Sequence, residues 1–201
     1  MLLASAYMPP IQYVALLTKQ GNARIEAMEH YVKQSYRNRA CILSANGVLN
    51  LIVPLEKADG CKTLMKDVRI AYNDRWNAEH WIAITSAYNS SPFFEFYADD
   101  LQPFFTKKYS FLIDYNAEIL QRILSLMGIS CNLSFTDEFA KPNTVAEDYR
   151  YSISPKINNA NVTLPAYTQV FENKFDFVPN LSVLDLLCNV GPESKEYLKQ
   201  I

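Results

Sequence analysis

Asn46-Gly47, set between the β-rich runs 39–45 and 48–55, limits what this chain folds into more than any other stretch. A two-residue hairpin turn needs positive φ at both central positions, which Asn and Gly tolerate. The expected register pairs Ala45 with Val48, Leu43 with Asn50, Cys41 with Ile52 and Arg39 with Pro54. Ile42, Leu49, Leu51 and Val53 then share the more apolar face, and Arg37 and Arg39 lie on the other. One antiparallel pair is thereby fixed, and a charged segment leads into it.

That segment, residues 29–39, holds Glu29, His30, Lys33, Arg37 and Arg39. If residues 31–39 run extended, side chains alternate between faces. Tyr31, Lys33, Ser35, Arg37 and Arg39 share one side, and Gln34, Tyr36 and Asn38 the other. A row of Lys and Arg suits phosphate, pyrophosphate or carboxylate. The same pattern also marks a solvated edge strand whose charges deter sheet-to-sheet pairing. Asn38 joins the cleft of Arg37 and Arg39 only if the strand starts later or bulges. Glu29 and His30 at a strand end suit acid–base chemistry, since imidazole titrates near neutrality. Pairing of Glu29 with Lys33, Arg37 or Arg39 is the structural alternative.

Along the chain, residues 2–7 read as a strand stopped at Met8-Pro9-Pro10, and 11–19 as a helix ended by Gly21-Asn22. Tyr7 and Gln12 flank this strand-to-helix turn, a common place for ligands, although it lacks the glycines of a nucleotide fingerprint. Residues 24–29 read as a second strand, and 56–66, with Gly60, as an exposed loop. Val68, Ile70 and Tyr72 alternate as a further strand, and Asn73-Asp74 offers an N-cap for a helix over 75–88. On that helix Trp76, His80, Ile84 and Ala87 form an apolar stripe. A histidine there is either a hydrogen-bonded core residue or a base whose charged form burial disfavours.

Ser91-Pro92 reads as N-cap and first residue of the next helix. A helix over 110–127 ends at Gly128, and a strand follows over 129–135. Lys141, Pro142, Asn143, Pro155, Asn158, Asn159, Asn161 and Pro165 make residues 140–166 a long loop or lid. In the tail, 183–188 reads as a short helix before Gly191-Pro192, and 193–198 as a last turn. Asp185 lies within that apolar helix and must be capped, paired or exposed.

Composition narrows the function classes. A net charge of −2 gives no general pull toward nucleic acid or an anionic membrane, so any anion affinity is local. Phe93, Phe94, Phe96 and Tyr97 sit among Glu95, Asp99 and Asp100, which suits core packing rather than base stacking. The apolar opening has two prolines and no basic region, and no apolar run reaches the roughly 20 residues that span a bilayer. A cytoplasmic protein without an integral membrane segment is expected. Cys41, Cys61, Cys131 and Cys188 lack CxxC spacing and two histidines build no zinc cluster, so no metal or cofactor is expected. Helix–strand alternation predicts an α/β fold: a mixed sheet with an antiparallel hairpin, flanked by helices, with a C-terminal helical extension. The expected organisation is one domain, with an α/β core over 1–139 and residues 167–201 packed back on it.

These stretches together resemble the WbqC-like family of bacterial proteins. The matching pieces are Tyr7-Met8-Pro9-Pro10, Tyr31-x-Lys33-x-x-Tyr36-x-Asn38-Arg39, Asn46-Gly47, Val53-Pro54, Trp76-x-x-x-His80, Ala87-Tyr88, Pro92-Phe93-Phe94, Leu181-Ser182-x-x-Asp185-Leu186-Leu187 and Gly191-Pro192. The family's usual opening, Gln-Pro-x-Tyr-x-Pro-Trp, is replaced at three positions by Ala4, Ser5 and Pro10. The resemblance implies a role in O-antigen or other surface-polysaccharide biosynthesis, with aminoacyl transfer proposed for some members. On that reading an activated sugar or acyl donor is the partner. Lys33, Arg37 and Arg39 hold its phosphate, Asn38 orients a carbonyl or hydroxyl, and Tyr7 and Tyr31 line the site. His80 or His30 is the general base, with Glu29 or Asp185 as orienting carboxylate. The alternative is a non-catalytic binding or assembly protein of the same pathway.

Overall fold

The computed structural model describes residues 1–57, 63–142, 144–156 and 164–201. Gly60 and Cys61 of the expected exposed loop, and Asn143, Asn158, Asn159 and Asn161 of the expected 140–166 loop, lie outside the described residues.

The sheet that organises the molecule is parallel, in the order β1 (Leu2–Ala4), β2 (Asn22–Glu26), β5 (Asn132–Phe135). Leu2 and Leu3 are fully buried, as expected where helices cover a parallel sheet. Helix α1 (Ile11–Gln20) makes the crossover between β1 and β2, and Gly21 ends it at φ 68° with its N–H on the Leu17 carbonyl. On the open edge of β1 a further segment runs parallel: Leu2 N–H donates to Glu147 and Tyr149 N–H to Leu2, at 2.8 and 2.9 Å. Four stretches of chain therefore end at one edge of the sheet.

The hairpin stands apart as its own two-stranded sheet, β3 (Arg39–Ser44) and β4 (Gly47–Ile52). Its register is shifted by two from the expected one: Ser44 pairs with Gly47, Cys41 with Asn50 and Arg39 with Ile52. Gly47 alone takes positive φ, at 103°, while Ala45 and Asn46 do not. The turn is thus the kind in which a glycine after two central residues relieves the strand twist. A shift of two leaves every side chain on its expected face, yet Leu49 is exposed while its cross-strand partner Ile42 is buried.

The other helices are α2 (Trp76–Tyr88), α3 (Phe94–Leu101), α4 (Leu112–Leu126), α5 (Val183–Val190) and α6 (Ser194–Lys199). α4 buries Leu112, Ile113, Ile119, Leu120, Ile123 and Leu124, the stripe its periodicity predicts. α5 starts at Ser182, whose Oγ accepts the Leu184 N–H at 3.3 Å, and it is buried nearly all round. Backbone bonds from Ile11 to Leu181 and from Val183 to Pro9 fasten it to the β1–α1 turn.

Four expected features are absent. Residues 31–38 form turns, not a strand, and the strand begins at Arg39. Ser35 is the cause: its hydroxyl donates to the Val32 carbonyl at 2.6 Å and accepts from Arg37 N–H, chemistry that bends the backbone. Around Val68 to Tyr72 there is a short 3₁₀ turn (Met65–Asp67) and two isolated bridges, Leu55 with Ile70 and Arg69 with Phe111, in place of a strand. Ser91 caps no helix, since its hydroxyl donates back to Tyr88 and α3 begins at Phe94; α2 likewise lacks a side-chain cap from Asn73 or Asp74.

Gly191 meets two constraints at once. It sits at φ 61°, and a Cβ there would lie 2.5 Å from ring carbons of Phe93. Gly191→Ala is expected to cost about 2 kcal/mol or more. Urea denaturation would measure it, and an unchanged midpoint would refute this close approach.

Candidate functional site

Open parallel sheets bind ligands outside the carboxyl ends of their strands. At that edge here stand Ser5 after β1, Glu26 and Glu29 at and after β2, Thr136 after β5 and Arg150 after the fourth segment. Glu26 is fully buried and fully bonded. Its Oε1 accepts from Met28 N–H and the Thr136 hydroxyl, and its Oε2 from Ala140 N–H and Arg150 Nη1 at 2.9 Å. Arg150 also grips Asp148 through Nε and Nη2, which holds the Asp148 carboxyl below the usual carboxylate range. The rings of Phe139 and Tyr151 flank the Arg150 guanidinium at 5.3 and 5.5 Å.

Beside this saturated cluster lies an unsaturated one. Arg37 Nε donates to Glu29 Oε1 at 2.8 Å, and both residues are buried. Arg37 Nη2 comes within 2.6 Å of the same oxygen but out of line for a hydrogen bond. Glu29 Oε2 has no partner among the described residues. Burial pushes the Glu29 carboxyl up, and the Arg37 charge and hydrogen bond only partly offset that. Burial and then the Glu29 charge also raise the nearby Tyr151 phenol.

Tyr31 feels the charge of both Arg37 and Arg39 although the expected strand is absent. Burial raises the Tyr31 phenol, and both arginines are near enough to pull it back down. Arg37 is committed to Glu29, whereas Arg39 makes no side-chain hydrogen bond or ion pair among the described residues, and its Nε is buried. Arg39 pairs with Ile52 across the hairpin, so the two side chains share a face. Ile52 in turn lines a groove of about 800 Å³ that also holds Tyr31, Lys33, Asn38 and Arg69. Asn38 reaches this groove because the strand starts after it. Its Nδ2 donates to the Val53 carbonyl at 2.9 Å.

The other expected site residues lie elsewhere. Tyr7 and His80 form a buried pair, with Tyr7 Oη 2.9 Å from His80 Nδ1 and the imidazole edge-on to Trp76 at 5.0 Å. With Tyr7 donating, Nε2–H is left for the Ile52 carbonyl. Burial lowers the imidazole pKa to about 4, so His80 is neutral at physiological pH and weak as a base. The adjoining Met8 is fully buried at φ 38°, a strained turn that fixes where Tyr7 points. Exposed His30 has no side-chain partner among the described residues. Asp185 Oδ2 accepts from the Tyr167 hydroxyl at 2.6 Å and Gln169 Nε2 at 2.9 Å, partners that belong to the C-terminal segment. Burial raises its carboxyl while those bonds pull it down. Among the described residues it hydrogen-bonds to neither His80 nor the Glu29–Arg37 pair.

Sequence reasoning missed Glu26, Asp148, Arg150, Ser5 and Asn116. A signal existed in Asp148-Tyr149-Arg150, where opposite charges two apart in an extended stretch share a side.

The chain belongs to the WbqC-like protein family, whose model matches residues 4–161. The matched span holds Glu26, Glu29, Arg37, Arg39 and Arg150 and stops before Asp185. The chain is also 26% identical over 220 aligned positions to the uncharacterized protein Rv1507c of Mycobacterium tuberculosis, covering 97% of this chain and 95% of that protein. No solved structure matches it. No helix among the described residues is long and apolar enough to cross a membrane.

The buried His80 makes stability depend on pH. Its folded pKa of about 4 is below its ordinary 6.5, so the unfolded chain binds the extra proton between these values. Its contribution is complete above 6.5 and is lost as pH falls toward 4, by at most roughly 3 kcal/mol. Relative to wild type, His80→Gln should flatten the stability curve across this window. Denaturation at stepped pH measures it, and parallel curves would count against a buried neutral imidazole.

Proposed function

We propose that this protein is a transferase that moves an acyl or aminoacyl group from a phosphate-activated donor to a sugar in bacterial O-antigen or surface-polysaccharide synthesis. The observation that carries the reading is Arg39: a half-buried guanidinium without a protein counter-ion among the described residues, beside Tyr31 and on the face that continues into the Lys33–Asn38 groove. An Nε–H shut off from water without an acceptor is costly unless an anion completes it. Lys33 and Arg39 hold the donor phosphate, and Asn38 orients the acyl carbonyl.

Glu29 serves better as the base than either histidine. Its free oxygen and its raised carboxyl suit proton acceptance, and Arg37 fixes its orientation. The acceptor amine or hydroxyl attacks the acyl carbonyl, the bond to the donor phosphate oxygen breaks, and Glu29 takes the acceptor's proton. Family membership supports the pathway assignment.

One observation favours the alternative of a non-catalytic binding protein: Glu29 is only 1% exposed, so an acceptor reaches it only if the side chains around it move. Two measurements separate these readings. Calorimetric titration with nucleotide-sugars should give binding to wild type that falls about tenfold or more in Arg39→Ala, the loss of roughly one charge-assisted hydrogen bond. Indifference of wild type to every such ligand would sink the anion site. Glu29→Gln should bind as wild type does yet fail to restore surface glycan in a deletion strain. Full restoration would leave the binding reading standing.

A further inference from the structure

A second polar site lies at the same sheet edge, on the side facing α4. A cavity of about 40 Å³ there is lined by Ser5, Asn116, Leu120, Leu133 and Phe135 among others, and it opens between exposed Gln121 and Ser134. Ser5 and Asn116 line it, and are 3% and 2% exposed. Asn116 Nδ2 donates twice, to Ser5 Oγ at 2.9 Å and to the Arg37 carbonyl at 2.8 Å. A carbonyl can only accept, so the Arg37 contact fixes which end of the amide is which. Asn116 Oδ1 is thereby left without a partner. The Ser5 hydroxyl, having accepted, keeps a proton for which no acceptor stands among the described residues.

An unpaired buried amide oxygen costs about 1–3 kcal/mol, so a partner for it is expected. The lining states its chemistry. Among the described residues the only titratable side chain in the wall is Tyr13, whose hydroxyl already donates to the Ala4 carbonyl at 2.8 Å. None of the described lining residues offers a counter-charge for an ion, and the remaining walls are largely apolar. The space admits a few heavy atoms, about two or three waters' worth, and no ring. We propose that Ser5 and Asn116 form the floor of a subsite for a compact neutral group with one donor and one acceptor, of primary-carboxamide chemistry. The ligand N–H donates to Asn116 Oδ1 and its carbonyl accepts from Ser5 Oγ–H. None of these residues takes part in the proposed transfer, so the subsite stands or falls separately.

Acetamide is the probe, and acetate, of the same size but charged and without a donor, is the control. Titration of the full ¹⁵N-labelled chain should give saturable shifts at Ser5, Ala6, Asn116 and Leu133 with acetamide, at concentrations on the order of 10 mM expected for so few atoms. Acetate should bind about tenfold more weakly or not at all, and Ser5→Ala, which keeps Asn116 and its bond to Arg37, should weaken acetamide by about fivefold to tenfold. Equal responses to the two probes, no saturable shift at these residues in wild type, or a soaked crystal showing ordered water only on Asn116 Oδ1 would each overturn the assignment.

Discussion

The ion pair between Glu26 and Arg150 is the constraint on which the sheet edge depends. Both side chains are withdrawn from water, and every other lone pair of the carboxylate is met by Met28, Thr136 or Ala140. Removing one member of such a pair typically costs 3–5 kcal/mol, whereas an apolar replacement of both is often neutral. Its value is therefore positional. It locks the segment after Asp148 against the end of β2, and that segment walls off the Glu29–Arg37 pair. A saturated network thus frames an unsaturated one, and the two differ in their fitness for chemistry. Glu26 has no acceptor capacity to spare, while Glu29 keeps an oxygen free.

Parts of this arrangement were legible in the sequence and parts were not, for physical reasons. α1, α4 and α5 announce themselves because apolar periodicity and a terminal glycine or an N-cap serine act over a few residues. The hairpin's position was equally local. Its register was not, because Gly47 takes the positive φ alone and the pairing moves by two. The stretch from Tyr31 to Asn38 mimics a strand by alternation, yet the Ser35 hydroxyl bends it, and the bend carries Arg37 inward and Asn38 outward. Arg37 and Arg39 both act on the Tyr31 phenol, but Arg37 is spent on Glu29 and Arg39 alone of the two stays unpaired among the described residues.

What stayed hidden was the long-range pairing. Arg150 meets Glu26 across 124 residues and Asn116 meets Ser5 across 111, separations at which spacing carries no information. The histidines misled for a related reason. Residue type left His80 as either a hydrogen-bonded core residue or a base, and the packed surroundings of Tyr7 and Trp76 show it as the first, with burial lowering its pKa. Asp185 had to be capped, paired or exposed, and it is paired. Its hydrogen bonds hold the 167–178 segment rather than a substrate.

The parallel segment on the open edge of β1 has a consequence for how the chain reaches this state. Leu2 is bonded to residues 147 and 149, and Ile11 to Leu181, so the stretch before α1 is completed by strands and turns that leave the ribosome much later. Contacts of such separation carry a large loop-closure cost before they stabilise anything. Until then a buried β-strand and an unpaired sheet edge are open to water and to other chains. The N-terminal strand is accordingly one of the last parts of the fold to be completed, since its partners lie at the far end of the chain.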